Sequence, residues 1–215
     1  MAHKTFASWA EIDPNHGPMT ADEFLVMPDE NGWQHELVEG VVVKMPSPGF
    51  QHGVIEMELA HVLANYVQER NLGVVTGAET GFLLSQVGQK DTVLGADVAF
   101  VRSEHVPPPN TPGIEKYLRV APDVAAEVAS PDQYRPEMAA KARVYLDAGV
   151  RLVWIVWPYP PFSSEQAAFR AEPASQTVDV WRPGSDAPTT LAIADTLDGY
   201  DVVPGFTCPV ADLFA

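Results

Sequence analysis

The hydrophobic pattern of this chain alternates between short β-type runs and longer stripes at helical spacing. Runs of β-branched, aromatic and small apolar residues predict strands at residues 34–38, 41–45, 73–76, 81–85, 94–101, 122–129, 151–157 and 177–182. Apolar residues three and four positions apart predict one helix that begins near His52 and stops near Gly73, and another from about Pro136 to Gly149. The chain is therefore predicted to combine strands with helices.

Local signals support several of these elements. Thr20 and Glu23 have the spacing of a capping box, in which each side chain bonds the backbone N–H of the other residue, and they predict a short helix. A turn that contains Gly40 predicts a β-hairpin from the first two strands, because glycine readily takes positive φ. At 100° per residue, Lys141 projects about 60° from Met138, on the apolar side of its helix. We therefore expect Lys141 to point inward.

Two strands each carry one acid within an otherwise apolar run. Asp97 and Glu127 stand among small and β-branched residues, where an unpaired carboxylate costs several kcal/mol unless it is neutralised or bound to an ion. Two such carboxylates on adjacent strands can hold a hard divalent cation, and the Lys141 ammonium can stabilise a phosphate oxyanion or orient a water. The alternative is structural: acids paired with an arginine such as Arg143, and a lysine whose stem packs along the core.

Composition narrows the class of protein. Hydrophobic residues make up 46% of the chain, and no apolar run approaches the ~20 residues of a membrane span. Residues 1–9 lack the apolar core of a signal peptide, and the single cysteine, Cys208, cannot form an internal disulfide, so we expect a cytoplasmic protein without a membrane segment. The length predicts one domain over residues 1–215, with an ordered core at about 20–214 and a Pro/Ala/Glu-rich insertion at 159–175.

The net charge argues against strong binding to a polyanion. The chain has 13 Lys and Arg residues against 29 acids, which gives a formal charge of −16, and it contains no basic run. A metal ion would bring its own positive charge to the site, and acids far from a cleft are screened beyond ~8 to 10 Å at physiological salt. Binding to bare DNA is therefore expected to be weak and assisted by metal.

An ordered set of short segments resembles the Uma-two family of endonuclease-like proteins, within the PD-(D/E)XK restriction-endonuclease-like superfamily. The segments run from about Thr20 to Phe214, and it is their order that carries the resemblance. In chain order they are His35–Gly40, Met45–Pro48 with His52, Ala96–Val101, Pro122–Pro131, Lys141 with Tyr145 and Gly149–Val150, Val153–Val156, and Val203–Phe206.

The resemblance implies a fold and a set of site residues. The fold is α+β (α/β), a restriction-endonuclease-like mixed β-sheet flanked by helices. Asp97 and Glu127 are implied as ligands of Mg²⁺ or Mn²⁺, and Lys141 as the catalytic lysine, displaced from the strand onto a helix. Glu36 occupies the place of the family's first acid and is implied as a fourth catalytic residue, and His52 lies near the site entrance.

These observations lead to one main functional hypothesis and two alternatives. The main hypothesis is a Mg²⁺- or Mn²⁺-dependent endonuclease that hydrolyses DNA phosphodiester bonds. The first alternative is a noncatalytic scaffold or binding protein that kept the fold, since a fold does not guarantee its chemistry. The second is a metal-dependent hydrolase of a smaller phosphoester. Restriction-like enzymes commonly dimerise, so a homodimer is a further expectation.

Overall fold

The computed structural model describes residues 9–28, 32–78, 80–85, 88–112, 117–131, 133–158 and 176–215. The helices are α1 (Ala21–Phe24), α2 (Phe50–Glu69) and α3 (Arg135–Asp147), and a 3-10 helix follows at Val210–Phe214. The strands are β1 (Glu11–Ile12), β2 (Trp33–Val38), β3 (Val41–Pro46), β4 (Gly73–Gly77), β5 (Gly81–Leu83), β6 (Val93–Gly95), β7 (Val98–Arg102), β8 (Val124–Val128), β9 (Leu152–Trp157), β10 (Thr177–Trp181), β11 (Thr189–Ala192), β12 (Thr196–Asp198) and β13 (Thr207–Pro209). The insertion predicted at residues 159–175 lies outside the described residues.

A six-stranded sheet forms the centre of the fold, in the order β11-β10-β9-β8-β7-β4. Its neighbours are antiparallel except for β8 and β9, which run parallel because α3 connects them. One core lies between this sheet and α2, and it includes Ile55 and Leu59 of the helix with Phe100 of the sheet. A second core lies on the α3 side, where Met138 packs with Ala99. The predicted mixed sheet flanked by helices is confirmed.

A second, antiparallel sheet has the order β1-β3-β2-β6-β5. Its centre is the predicted hairpin of β2 and β3, whose turn residues Glu39 and Gly40 both have positive φ, of 48° and 78°. Two consecutive positive φ angles define the mirror-image turn whose twist matches that of the flanking strands. The predicted capping box is also present, since Thr20 accepts from the Glu23 N–H and the Glu23 carboxylate accepts from the Thr20 N–H.

The apolar run at residues 94–101 is not the single strand that its composition predicts. It divides into β6, which pairs with β5 in the second sheet, and β7, which pairs with β4 and β8 in the six-stranded sheet. Gly95 ends the first strand and Val98 begins the second, so Asp97 lies where the chain passes between the sheets. This break places the Asp97 carboxylate at the junction of both sheets instead of in the middle of a strand.

No helix in the described part of the chain is long and apolar enough to cross a membrane.

Candidate active site

A cleft of about 940 Å³ opens where the two sheets meet. Its lining includes all four residues predicted to be catalytic, together with one residue predicted at the entrance: Glu36, Asp97, Glu127, Lys141 and His52. They come from β2, the β6–β7 junction, β8, α3 and the first turn of α2. The predicted residues therefore share one cavity, while their catalytic and metal-binding roles stay predictions.

Lys141 forms the centre of a buried charge cluster. Its Nζ atom lies 2.8 Å from Glu127 Oε2 and 3.0 Å from Glu36 Oε1. The lysine is only 2% exposed, as its position on the apolar side of α3 predicts. Glu36 is also buried, with 5% of its surface exposed. One ammonium therefore bridges an acid from each sheet.

Neutral donors occupy the remaining oxygens of these two acids. The Tyr145 hydroxyl, one turn beyond Lys141 on α3, donates to Glu127 Oε1 at 2.7 Å. The Trp9 indole N–H donates to Glu36 Oε2 at 2.9 Å. Glu127 thus accepts one charged and one neutral hydrogen bond, and Glu36 combines its ion pair with Lys141 with one neutral hydrogen bond. These contacts fix the orientation of both carboxylates in a low-dielectric environment.

The cluster contains more negative than positive charge, and this changes its proton affinities. Burial, opposed by the charge of Lys141 and assisted by the carboxylates of Asp97 and Glu36, raises the pKa of Glu127 to about 8. Burial lowers the pKa of Lys141, but the nearby carboxylates outweigh burial and raise it overall. The lysine therefore keeps its proton, and the surplus negative charge favours binding of a further cation.

Asp97 is held by the backbone of β8 directly after Glu127 and lies beside the start of α2. Val98 pairs with Ala126 in the antiparallel register of β7 and β8, so Asp97 and Glu127 are the next residues along the two strands. Asp97 Oδ2 accepts the Val128 backbone N–H at 2.7 Å. Glu127 therefore comes from β8 and Asp97 from the position directly before its neighbour β7, where both strands had been expected to supply one acid each. Arg143, the structural partner considered from sequence, lies instead over the Trp181 ring.

His52, in the first turn of α2, adds an imidazole to the cluster. Its Nε2 atom lies 3.1 Å from Asp97 Oδ2, and its Nδ1 atom lies 3.8 Å from Oε2 of Glu56. Burial opposes protonation of His52, but its contact with Asp97 and the surrounding acids raise its pKa overall. One ligand atom from each of His52, Glu56 and Asp97 lies within 4.8 Å of the other two. The donor set of oxygens and one imidazole fits a divalent cation.

The hairpin forms another wall of the cleft and carries a cation beside an aromatic ring. Lys44 lies over the Trp33 indole, 4.7 Å from the ring centroid, and both residues line the cleft. Lys44 Nζ is also 3.7 Å from a carboxylate oxygen of the buried Asp13. A cation held loosely by one acid, next to a partly exposed indole, can contact a phosphate and a base of a nucleic-acid strand.

Three residues of this site were not identified from sequence as functional candidates. Glu56 could have been found by its position four residues after His52 on a predicted helix, which puts both on one face. Tyr145 was named only among the segments that carry the family resemblance, and the signal that could have identified it is that a buried tyrosine hydroxyl usually has a hydrogen-bond partner. Trp9 gave no signal, because its contact with Glu36 spans two elements that are distant in sequence.

Comparisons with known proteins agree with the resemblance seen in the sequence. The model of the Uma2 family, described as "Putative restriction endonuclease", matches residues 21–211. A crystal structure of "a putative nuclease belonging to DUF820" from Anabaena variabilis ATCC 29413 has the same fold, with a TM-score of 0.69 and 20% sequence identity over 92% of this chain and 98% of that one. No curated protein sequence matches the chain. Since the family model covers most of its length, this protein belongs to the Uma2 family.

Proposed function

We propose that this protein is a metal-dependent endonuclease that hydrolyses DNA phosphodiester bonds. The observation that carries the proposal is the cluster of three buried carboxylates, Glu36, Asp97 and Glu127, around the single ammonium of Lys141 at the wall of an open cleft. Burying such a surplus of negative charge is costly without a further cation, so the arrangement is better explained by a binding function than by stability.

Asp97 and Glu127 are the proposed ligands of Mg²⁺ or Mn²⁺. Both cations prefer carboxylate oxygens, and the two acids are adjacent across β7 and β8. When bound, the cation would supply positive charge to the phosphate that is cleaved and polarise it. The Val128 N–H holds the Asp97 carboxylate in place, which reduces the reorganisation that binding requires.

Lys141 is proposed to contact the scissile phosphate or the attacking water. Its raised pKa keeps the ammonium charged, and its contacts with Glu127 and Glu36 fix its position before substrate binds. A preorganised cation stabilises the charge that develops in the transition state more effectively than a mobile one. Glu36 is proposed to complete the metal or water network and to orient the lysine from the opposite sheet.

The substrate is proposed to be DNA, bound weakly and with the help of metal. The formal charge of −16 repels a polyanion at long range, and the acids of the cleft add to this repulsion until a cation neutralises them. Lys44 and Trp33 on the hairpin wall offer a contact for the backbone and a surface for a base. Affinity should therefore depend strongly on a divalent ion.

Two alternative functions can be distinguished from this one by experiment. A noncatalytic scaffold of the same fold is supported by the acidic composition, and a hydrolase of a smaller phosphoester would use the same cluster.

The cytoplasmic location and the homodimer also stay predictions. Light scattering of the purified protein tests whether it is a homodimer.

Nicking of supercoiled plasmid tests the proposal. The purified protein should nick the plasmid with Mg²⁺ or Mn²⁺ and stop on addition of EDTA. Cleavage of bis(p-nitrophenyl) phosphate without plasmid nicking would favour the small phosphoester. Absence of both activities, together with a stable protein partner in pull-downs, would favour the scaffold.

A further inference from the structure

Helix α2 brings two side chains of metal-ligand type close to Asp97. His52 and Glu56 stand four residues apart, so they project from the same face of the helix about one turn apart. The first turn of α2 lies beside the junction of β6 and β7, and this brings His52 Nε2 to 3.1 Å from Asp97 Oδ2. The three side chains approach one another closely enough to provide three ligand atoms within 4.8 Å.

A second observation on His52 points to a missing ligand. The Nδ1 atom of His52 is buried and has no hydrogen-bond partner among the described residues, and the side chain is only 7% exposed. A buried ring nitrogen without a partner is costly, because it has lost its water and gained nothing in return. The nearest acid oxygen, Glu56 Oε2, lies 3.8 Å away, beyond hydrogen-bond distance.

The gap between these atoms fits a cation. Two ligand atoms that each lie ~2.1 Å from one ion are separated by roughly 3 to 4.2 Å, depending on the angle between them. The distance of 3.8 Å between His52 Nδ1 and Glu56 Oε2 falls within this range. Glu127, by comparison, already accepts hydrogen bonds from Lys141 and Tyr145 on its two oxygens.

We propose that His52 and Glu56 are ligands of the same divalent cation that Asp97 holds, so that the site contains one imidazole nitrogen besides carboxylate oxygens. This inference rests on the proposed function, because it concerns the cation of that site. An imidazole ligand suits transition metals better than Mg²⁺, whose preferred ligands are oxygens. The site therefore selects Mn²⁺ over Mg²⁺, and His52 determines that preference.

Manganese titration of the full metal-free chain tests the assignment without measuring catalysis. Free Mn²⁺ is quantified by electron paramagnetic resonance, and nitrogen coordination is detected by the ¹⁴N hyperfine coupling of the bound ion. Wild-type protein should bind Mn²⁺ and show this coupling. His52→Ala should lose the coupling, and both His52→Ala and Glu56→Gln should weaken Mn²⁺ binding at least about tenfold.

The same helix supplies matched controls. His61→Ala and Glu69→Gln change the same residue types at exposed positions of α2, and they should leave both the affinity and the coupling unchanged. His52→Ala should also reduce the ratio of Mn²⁺ to Mg²⁺ affinity, which a merely structural histidine would not alter. Circular dichroism checks that each variant is folded, and the coupling in the wild-type protein requires no variant at all.

The outcomes distinguish this inference from the proposed function. Mn²⁺ bound by wild-type protein without ¹⁴N coupling, and with affinity that depends on Asp97 and Glu127 alone, would overturn the role of His52 and leave the endonuclease proposal intact. Failure of wild-type protein to bind Mn²⁺ at all would overturn both.

Discussion

Lys141 Nζ lies 2.8 Å from the Glu127 carboxylate although 14 positions of sequence separate a residue of α3 from a residue of β8. In the superfamily that the sequence resembles, the corresponding lysine would stand two residues after the acid, where this chain has Ala129. Helix α3, which packs on one face of the six-stranded sheet, instead places the Lys141 ammonium beside the Glu127 carboxylate. Lys141 therefore belongs to the cluster because of its place in the fold, although it does not stand at the usual position in the sequence motif.

Loss of the Lys141 charge should destabilise the metal-free protein strongly. Lys141→Met keeps a similar length but leaves Glu36 and Glu127 buried without a counter-charge, and removal of one member of a buried ion pair costs ~3 to 5 kcal/mol. Urea unfolding in EDTA measures the change. The double variant Lys141→Met/Glu36→Gln should recover part of the loss, because one of the two uncompensated charges is gone.

The control is Arg70→Met, which removes an equal charge from an exposed pair with Glu69 and should change stability by less than about 1 kcal/mol. Equal effects of Lys141→Met and Arg70→Met would show that the cluster is not a buried ion network.

The Tyr145 hydroxyl should stabilise the protein through its hydrogen bond to Glu127. Tyr145→Phe removes one oxygen atom and leaves the ring, and hydrogen bonds to charged groups contribute ~1.5 to 3 kcal/mol. Since burial raises the pKa of Tyr145, the hydroxyl stays a neutral donor throughout the physiological range. Thermal unfolding should show a lower midpoint for Tyr145→Phe than for the wild-type protein, and an unchanged midpoint would contradict a stabilising hydrogen bond to Glu127.

Sequence patterns predicted the elements of the fold better than the connections between them. The hairpin around Gly40 and the capping box of Thr20 are local, so neighbouring residues determine them. The division of residues 94–101 between two sheets was not predictable, because β6 and β7 have the same apolar character and differ only in their distant partners. Asp97 was recognised as exceptional in that run, and the structure explains it as the residue at the break.

The candidate site shows the same limit. Acids within apolar runs and a lysine on an apolar helix face are visible as violations of a pattern, which is why Asp97, Glu127 and Lys141 could be found. Trp9 and Glu56 violate no pattern, since an indole near a terminus and an acid on a helix are ordinary. The contact of Trp9 with Glu36 arises only when segments distant in sequence come together. Glu56 lies one turn from His52 within α2, but the pair becomes a candidate for the site only because α2 packs beside Asp97.

Lys44 should contact DNA as a phosphate-binding residue of the cleft wall. With Ca²⁺ present to neutralise the acids, Lys44→Ala should weaken binding of a short duplex and reduce the slope of log affinity against log salt by ~0.9, the value for one phosphate contact. Fluorescence anisotropy at several salt concentrations gives the slope. Lys90→Ala removes the same charge from an exposed position that does not line the cleft, and an equal reduction there would mean that only net charge matters.

The single thiol should be unreactive in the folded protein. Burial raises the pKa of Cys208 to about 11, so at pH 8 the thiolate fraction is about 100-fold smaller than for a thiol of the usual pKa near 9. Reaction with Ellman's reagent should be correspondingly slow and should become fast in urea. The raised pKa also means that thiol ionisation in the unfolded chain reduces stability as the pH increases from about 9 toward 11. Fast reaction of the native protein at pH 8 would contradict the burial of Cys208.

Single-turnover cleavage of supercoiled plasmid by Asp97→Asn and Glu127→Gln tests the central claim most directly. Each variant keeps the size of its side chain and removes one carboxylate charge, so cleavage in Mn²⁺ should fall at least about 100-fold while circular dichroism stays that of the wild type. Glu69→Gln, an exposed acid of α2, should cleave at the wild-type rate. Wild-type nicking that persists unchanged in both Asp97→Asn and Glu127→Gln would contradict the account, because the activity would then come from elsewhere than this cluster.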